Sequence, residues 1–380
     1  MKEVIQEAVH LLEQGEPCVL ATVVRTKGST PQKSGAKLLV RKDGSGVGTL
    51  GGGCVEGDIW FAATEIMRRG GYPEFRDYYL NEDIAARDGL VCGGTMYFFI
   101  DPLWKASNFL AYGREALQAY DGGPVVGIAT IVRAINPQRM GVRLMLREDG
   151  SIKGTLGSSD LDELALKSIR QVADLGNTKH VLADNDTELF IEGYTTPPTL
   201  VLMGGGHVGK ATALIAKNLD FRIYVVDDRT EFANMDRFPE AEATIVADYD
   251  KGLSQVPINA NTYIVVATRG HRQDDFALES AIRTKASYIG LLGSKRKTLM
   301  IYKRLLKIGC PPERLRAVRA PVGLDIGALT PAEIAVSIMS EITMMRRGAK
   351  GGVMQMDSKY FKLAQQQAEV KEWAESVPFS

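Results

Sequence analysis

The sequence has no excess of charge of either sign. Its 380 residues include 46 lysines and arginines and 46 aspartates and glutamates, so the formal net charge is zero. No basic field therefore exists to attract the phosphates of nucleic acid or of anionic lipids. We expect neither nucleic acid nor a membrane among its partners.

Long apolar runs and a signal peptide are also missing. No apolar stretch reaches the length that a bilayer span requires. The N-terminal segment MKEVIQEAVHLLEQGEP instead places Val4, Ile5, Ala8 and Leu11 on one stripe of an amphipathic helix. Because this segment lacks a basic start and a small-residue cleavage site, we predict a cytoplasmic protein.

Cysteine is scarce, and its spacing excludes two common uses. The four cysteines are Cys18, Cys54, Cys92 and Cys310. They form no C-x-x-C pair and no zinc-type pattern with the four histidines, and a disulfide framework is not expected in a reducing compartment. Cys18 in an apolar run and Cys310 before two prolines are predicted to be buried packing residues, whereas Cys54 and Cys92 lie beside glycines.

The N-terminal half contains an internal duplication. The segment that begins at Pro17 recurs from Pro124, and both copies predict a strand, a loop, a strand, a D-G-S turn and a short strand ending in G-T-L-G before a helix. Two such units could share one sheet. We predict repeats at about 17–70 and 124–175.

The two copies differ where their last helix begins. Gly52-Gly53-Cys54 in the first copy becomes Ser158-Ser159-Asp160 in the second, which is typical of an ordinary helix cap. In the first copy, the glycines leave the sulfur accessible and let backbone N–H groups point at a ligand, while the helix dipole favours a thiolate. Glu56 adds a negative charge that opposes this effect. The alternative is that Cys54 is a small buried packing residue.

A second domain follows a turn-rich stretch at 193–198. Strands and helices alternate after it, which predicts a parallel sheet with right-handed crossovers. The predicted fold class is α/β, with an N-terminal duplicated α+β domain and a C-terminal Rossmann-like, doubly wound parallel sheet. The predicted boundaries are 1–195, 196–350 and a C-terminal tail at 351–380.

A glycine loop opens the first helix of this second domain. The segment from Gly204 to Gly209 fits G-x-G-x-x-G between a strand and a helix, and Asp227 ends the next strand. The helix start offers unpaired N–H groups to a phosphate, and Asp227 can accept from a ribose hydroxyl, although Arg229 could instead favour a phosphorylated ribose. The alternative is a Rossmann fold that has lost its ligand.

Charged loops after later strands are expected at the same edge of the sheet. They contain Thr268-Arg269-Gly270-His271 and the run from Gly290 to Lys297. Taken alone, each charge could equally be a solvated loop residue. The predicted phosphate- or nucleotide-binding residues are Gly204, Gly205, Gly206, His207, Val208, Gly209, Asp227, Asp228, Arg269, His271, Gly293 and Lys295, with Arg296 beside them.

These motifs together resemble a known family. They are G-S-T-P-Q-K-S-G-A-K from Gly28, G-T-L-G-G-G-C-V-E from Gly48, C-G-G from Cys92, G-G-G-H-V-G, T-R-G-H, G-L-L-G-S-K-R-K, and P-V-G-L-D-I-G-A-L-T-P-A-E-I-A from Pro321. In this order they look like the accessory proteins of xanthine dehydrogenase and related molybdenum hydroxylases, often named XdhC or CoxI. Only about the last thirty residues fall outside the match.

The resemblance implies a maturation factor. Such a protein binds molybdenum cofactor, as molybdopterin or its cytidine dinucleotide form, supports its sulfuration together with a cysteine desulfurase, and delivers it to the apo-hydroxylase. A homodimer is expected. The cofactor-handling candidates carried over are Gly51, Gly52, Gly53, Cys54, Glu56 and Cys92. Cys54 could contact molybdenum through the cofactor, because a thiolate is a soft ligand.

Two other functions remain open from the sequence. An NAD(P)-dependent oxidoreductase would use the Rossmann domain, with His207 or His271 as acid, and a scaffold would only dock the enzyme and the desulfurase. A catalytic xanthine dehydrogenase chain is not expected, since this sequence lacks the cysteine sets that hold iron–sulfur clusters and the length of such an enzyme.

Overall fold

The first copy of the repeat forms a five-stranded antiparallel sheet. The computed structural model describes residues 1–80, 94–104, 109–183, 186–355, 358–363 and 365–366. Helix α1 precedes the first copy, whose sheet has the strand order β3-β2-β1-β5-β4. The elements are α1 (Lys2–Glu13), β1 (Cys18–Lys27), β2 (Lys37–Arg41), β3 (Gly46–Gly48), α2 (Gly53–Arg69), β4 (Glu74–Tyr79) and β5 (Thr95–Leu103).

The second copy repeats this order strand for strand. Its elements are α3 (Phe109–Tyr120), β6 (Val126–Arg133), β7 (Arg143–Arg147), β8 (Ile152–Gly154), α4 (Ser159–Val172), β9 (Thr178–Leu182) and β10 (Glu188–Tyr194). The sheet order β8-β7-β6-β10-β9 confirms the duplication. The expectation that the copies share one sheet is wrong, because each copy forms a sheet of its own.

The two sheets pack face to face, and this explains why they do not merge. Helix α2 covers the outer face of the first sheet, with Ile59 against Val19, and α4 covers the outer face of the second, with Ile169 against Ala129. The inner faces are apolar as well and bury each other, since Phe99 of the first copy and Phe190 of the second belong to one buried cluster. Helices α1 and α3 pack on each other and on the inner strands.

Two buried ion pairs cross between the inner faces. Lys37 Nζ lies 2.7 Å from Glu192 Oε1, and Arg143 pairs with Asp101. Lys37 and Arg143 occupy equivalent positions, since each begins the second strand of its copy and pairs with a threonine of the first strand. Each copy thus donates one cation and one carboxylate to the other, around a cavity of about 30 Å³.

The C-terminal half is the expected parallel sheet. Its strand order, β13-β12-β11-β14-β15, places β11 at the centre with helices on both faces, which confirms the Rossmann-like fold. Its elements are β11 (Thr199–Met203), α5 (His207–Asn218), β12 (Arg222–Asp227), β13 (Ala243–Val246), α6 (Tyr249–Leu253), β14 (Thr262–Val266), α7 (His271–Ile282), β15 (Tyr288–Leu291), α8 (Lys295–Lys307), α9 (Pro312–Ala317) and α10 (Pro331–Arg347).

The connection between the halves is shorter than the sequence suggests. Strand β10 continues to Tyr194 and β11 starts at Thr199, so the first residues of the turn-rich stretch belong to the sheet. Asn261 donates from its side chain to the Thr196 carbonyl oxygen and anchors this link. The domain boundaries remain predictions. Within the described ranges, no helix is long and apolar enough to cross a membrane.

Candidate functional site

The entrance to helix α2 presents Cys54 to solvent. Cys54 is the second residue of this 17-residue helix, and its side chain is exposed. The three glycines before it have φ angles of 113°, 74° and 70° at Gly51, Gly52 and Gly53. Residues with a Cβ adopt this left-handed backbone rarely, which explains the glycine run. The sulfur therefore stands where the helix dipole and the first unpaired N–H groups favour negative charge.

Neighbouring segments support this glycine loop. A Cβ on Gly51 would lie 2.8 Å from Pro31 Cβ, so the loop between β1 and β2 packs against it. The same loop contacts the start of β5, where a Cβ on Gly94 would lie 2.2 Å from the Ser29 carbonyl oxygen. Cys92 lies outside the described residues, and its role as a second cofactor-handling cysteine stays a prediction.

The Glu56 carboxylate is engaged in holding the loop. Its Oε2 atom accepts from the Thr49 hydroxyl at 2.6 Å, from Leu50 N at 2.5 Å and from Gly52 N at 3.2 Å. Burial raises the pKa of Glu56, but these hydrogen bonds outweigh burial and hold the pKa below its usual value. The carboxylate thus stabilises the backbone that presents Cys54.

The second copy has the same carboxylate contact without the glycine run. Asp162 accepts from the Thr155 hydroxyl at 2.7 Å and from Leu156 N at 2.7 Å. Ser158, at φ −151°, caps helix α4 by accepting from Leu161 N, as the sequence predicted. What distinguishes the first copy is therefore the left-handed glycine run and the exposed thiol, not the carboxylate.

The glycine loop of the Rossmann domain is closed at one end and open at the other. A Cβ on Gly204 would lie 2.2 Å from the Ala267 carbonyl oxygen, and one on Gly205 would lie 1.9 Å from that of Phe232. A Cβ on Gly206 would meet nothing within 4 Å, and His207 is exposed at the first turn of α5. The accessible N–H groups of this helix start are therefore those near Gly206.

The Asp227 carboxylate accepts hydrogen bonds from neighbouring residues of the protein. Its carboxylate is fully buried and accepts from Gly205 N at 2.8 Å, from Arg229 Nε at 2.9 Å and from Arg229 Nη2 at 3.1 Å. Burial raises the pKa of Asp227, but these bonds outweigh it and lower the pKa. The carboxylate predicted to meet a ribose hydroxyl is thus committed to protein donors.

Arg269 and Asp228 lie together at the carboxyl edge of the sheet. Arg269 Nη2 is 2.7 Å from Asp228 Oδ2, so this pair joins the end of β14 to the end of β12, past the glycine loop that follows β11. The Arg269 guanidinium is thus paired with Asp228, and its role at a phosphate stays a prediction. The side chain of His271 lies outside the described residues.

The loop after β15 leaves two of the predicted cations exposed and pairs a third cation with a buried acid. Lys295 and Arg296 are exposed on the first turn of α8. Lys297, which the sequence reasoning missed, instead pairs with the buried Asp274, and its stem lies beside Gly293. Asp274 also accepts from the Thr268 hydroxyl at 2.6 Å. A threonine at a strand end followed by an acid in the next helical turn could have signalled this contact.

No conventional metal site is visible in the parts of the chain that the structure describes. No three His, Cys, Asp or Glu side chains come together there as a ligand set. A contact between Cys54 and molybdenum through the cofactor stays a prediction.

Comparisons with known proteins match one segment in each half of the chain to a family model. Residues 11–78 match the XdhC and CoxI family, and residues 200–342 match the XdhC Rossmann domain. A relative in Bacillus subtilis (strain 168), named as a probable xanthine dehydrogenase subunit, is 29% identical over 340 residues, covering 89% of this chain and 96% of that protein.

Two further similarities span most of the chain. The molybdenum cofactor insertion chaperone PaoD of Escherichia coli (strain K12) is 23% identical over 348 residues, covering 91% of this chain and 88% of that protein. A solved structure named xanthine dehydrogenase from Bacillus halodurans superposes with a TM-score of 0.62 at 24% identity, covering 91% of this chain and 97% of that chain. At this identity, the superposition supports the fold alone.

Proposed function

This chain belongs to the XdhC and CoxI family, and we infer from that premise and from the geometry that it is an accessory factor for molybdenum hydroxylases. It binds molybdenum cofactor as cargo, supports the sulfuration of that cofactor and delivers it to a xanthine dehydrogenase-type apo-enzyme. A cysteine desulfurase and a second copy of the chain are the further partners of this proposal.

The observation that carries the proposal is the asymmetry between the two repeats. Both copies use a threonine and a carboxylate to hold the turn before the helix, but only the first has the left-handed glycine run and an exposed cysteine. A structural role does not require the glycine run or the cysteine, since the second copy caps the N-terminus of its helix with Ser158. The thiol and its glycines therefore serve a ligand.

The chemistry of that site suits the cargo. A thiolate is a soft ligand, fitted either to direct contact with a thio-molybdenum centre or to carrying a transient persulfide. The helix start after Gly206 offers N–H groups to the phosphate or nucleotide part of the cofactor. We thus propose that the N-terminal domain holds the molybdenum end of the cofactor at Cys54 and that the C-terminal domain holds its phosphate or nucleotide.

The names of the relatives favour an accessory role over a catalytic one. PaoD is named an insertion chaperone, and this chain spans 88% of it. The Bacillus subtilis relative is named a probable subunit of xanthine dehydrogenase. This chain has only four cysteines, too few to ligate two iron–sulfur clusters, which argues against a catalytic role.

The test is anaerobic purification from cells that make molybdenum cofactor. Bound molybdenum is measured by elemental analysis, and bound pterin by fluorescence after oxidation, for wild type, Cys54→Ser and the matched control Asp160→Ser at the equivalent position of the second copy. We expect near-stoichiometric cofactor in wild type and in the control, and at least tenfold less in Cys54→Ser. Both substitutions replace exposed side chains, so thermal unfolding should change little.

Two outcomes would overturn the proposal in different ways. Full retention of cofactor by Cys54→Ser would remove Cys54 from the site. Absence of cofactor from wild type, under conditions that load a known hydroxylase, would move the NAD(P)-dependent oxidoreductase to first place. That enzyme should require Gly206 and tolerate Cys54→Ser, whereas a docking scaffold should tolerate changes at both positions.

A further inference from the structure

The outer face of helix α8 carries exposed apolar side chains together with exposed cations. Leu299, Met300 and Leu306 are 55%, 59% and 48% exposed on this helix. Lys303 and Lys307 are exposed as well. At 3.6 residues per turn, these five side chains lie within an arc of about 120° around the helix axis. They therefore form one continuous face, which we call the α8 stripe.

The stripe is positive because the acids of the neighbouring helix are already paired. Helix α8 contains six cations and no acidic residue. Lys297 pairs with the buried Asp274, and Arg304 lies 3.7 and 3.9 Å from two further acids of α7. Lys303 and Lys307 form no ion pair with any residue that the structure describes. In a chain whose net charge is zero, the stripe is thus a local excess of unpaired positive charge.

The apolar part of this surface continues onto α7. Phe276 is 54% exposed, and the guanidinium carbon of Arg304 lies 4.9 Å from the centre of its ring. This cation–π contact joins the two helices at their surface. Single exposed apolar residues are ordinary on a protein surface, but here four large ones lie on two adjacent helices with cations among them. Such a patch is typical of a surface that binds another protein.

The sign of the charge selects the kind of partner. Because the acids of α7 are already paired, a protein that covers Lys303 and Lys307 must supply acidic side chains of its own. Leu299 and Met300 favour a protein over nucleic acid, since phosphates attract cations but do not bury apolar side chains. An anionic membrane is disfavoured because the chain as a whole has no net positive charge.

The position of α8 favours the protein that takes over the cargo. The helix begins at Lys295, directly after β15 ends at the carboxyl edge of the Rossmann sheet. The helix start after Gly206 lies at the same edge, at the end of β11. Over its 13 residues, α8 extends about 18 Å away from that edge, at 1.5 Å per residue. A protein docked along the stripe therefore reaches the edge where we propose that the cargo is held.

We propose that the α8 stripe is the docking surface for an acidic, partly apolar face of the protein that receives the cargo. The inference rests on the proposed function for the identity of that protein, an apo-hydroxylase. Lys303 and Lys307 attract the acidic face and orient it, and Leu299 and Met300 are buried against it.

The experiment measures binding of the full chain to a purified xanthine dehydrogenase-type hydroxylase that carries no molybdenum cofactor. Biolayer interferometry gives the affinity at low and at physiological ionic strength. Lys303→Glu combined with Lys307→Glu reverses the charge of the stripe. We expect this variant to bind about tenfold more weakly or worse, and its affinity to depend less on salt than that of the wild type.

The matched control reverses two exposed cations on another helix. Lys167→Glu combined with Arg170→Glu changes the outer face of α4, and Arg170 lies in the last turn of its helix, as Lys307 does. The two double variants therefore alter charge and helix ends alike. The control should bind the hydroxylase with wild-type affinity and wild-type salt dependence.

A second variant tests the apolar part of the stripe. Leu299→Ser removes apolar contact without changing charge, so it should weaken binding about fivefold and leave the salt dependence unchanged. Leu214→Ser is its control, because Leu214 is 51% exposed on α5. Both substitutions replace exposed side chains, so thermal unfolding should change little.

Several results would overturn the inference. One is equal binding by the wild type and the charge-reversed variant. Another is binding that weakens on charge reversal but not in Leu299→Ser, because attraction by charge alone needs no docking surface. Binding of the wild type to phosphatidylglycerol vesicles but not to the hydroxylase would assign the stripe to a membrane instead. A lower sedimentation coefficient of the charge-reversed variant would assign it to a second copy of the chain.

Cofactor retention distinguishes this inference from the proposed function. Because the stripe lies outside the site proposed for the cargo, the charge-reversed variant should retain molybdenum and pterin at the wild-type level. A wild-type chain that binds the hydroxylase through the stripe but carries no cofactor would sink the proposed function and leave the docking surface. Retained cofactor, together with hydroxylase binding that does not depend on the stripe, would do the reverse.

Discussion

The two repeats of the N-terminal half have the same fold but not the same surface. Their strand orders agree, and each turn is held by a threonine hydroxyl and a carboxylate, Thr49 with Glu56 and Thr155 with Asp162. Gly51 and its counterpart Gly157 both have a positive φ, and only the first copy adds the left-handed Gly52 and Gly53 and the exposed Cys54. Features shared by both copies therefore maintain the fold, and features of one copy mark the place where we propose the ligand site.

The largest effect is expected where the copies depend on each other. Arg143→Met leaves Asp101 buried without its ion-pair partner and should cost about 3–5 kcal/mol in the free energy of unfolding. The equivalent Lys37→Met should cost less, because Glu192 keeps 13% of its side-chain surface exposed. Urea unfolding of both variants measures the difference, and a larger cost for Lys37→Met would contradict the comparison.

The cost of Arg143→Met should depend on pH. Burial raises the pKa of Asp101 even beside Arg143, and the pKa should rise further once the opposing charge and hydrogen bond of the arginine are removed. A carboxyl group whose pKa is higher in the folded state binds its proton more tightly there, so it favours folding as the pH falls. The gap between variant and wild type should therefore shrink from pH 7 toward pH 5.

A smaller effect is expected from the turn contacts that both copies share. Glu56→Ala removes an acceptor from three donors and should cost about 1–3 kcal/mol, and Asp162→Ala, with two donors, should cost less. Since the pKa of Glu56 is lowered, its contribution is complete above the ordinary glutamate pKa and is lost as the pH falls through the folded-state pKa. Thermal unfolding across pH 2–7, a range set around the usual glutamate pKa of about 4.3, measures this loss.

The last comparison makes the first copy like the second, and it separates cofactor retention from stability. Gly52→Ser combined with Gly53→Ser gives the first helix the cap residues of the second. Because both glycines have a positive φ, we expect each serine to cost about 1–2 kcal/mol in the free energy of unfolding. Retention of molybdenum cofactor should nevertheless be lost. The reverse pair, Ser158→Gly with Ser159→Gly, is the control and should leave retention unchanged. Equal retention in both double variants would show that the asymmetry has no functional meaning.

Sequence patterns predicted most elements but few of the partners that their side chains take. Glycine spacing and strand–helix alternation placed Cys54 at a helix start and Gly206 at another, and the structure agrees. The same patterns predicted that Asp227 binds a ribose hydroxyl and that the charge of Glu56 opposes the thiolate form of Cys54. Both carboxylates are instead held by nearby donors, because local hydrogen bonds at helix starts compete with ligands for the same oxygens.

Local sequence patterns are enough to predict the duplication, the order of strands and helices, and the glycines that need unusual backbone angles, because periodicity and steric restriction act within a few residues along the chain. Tertiary packing was needed to reveal that the copies form two facing sheets joined by crossed ion pairs. It alone also paired Arg269 with Asp228, at the ends of β14 and β12. These contacts join segments that are far apart in the sequence. They form because each sheet has an apolar face left to bury after its own strands and helix have packed, and because buried charges require partners.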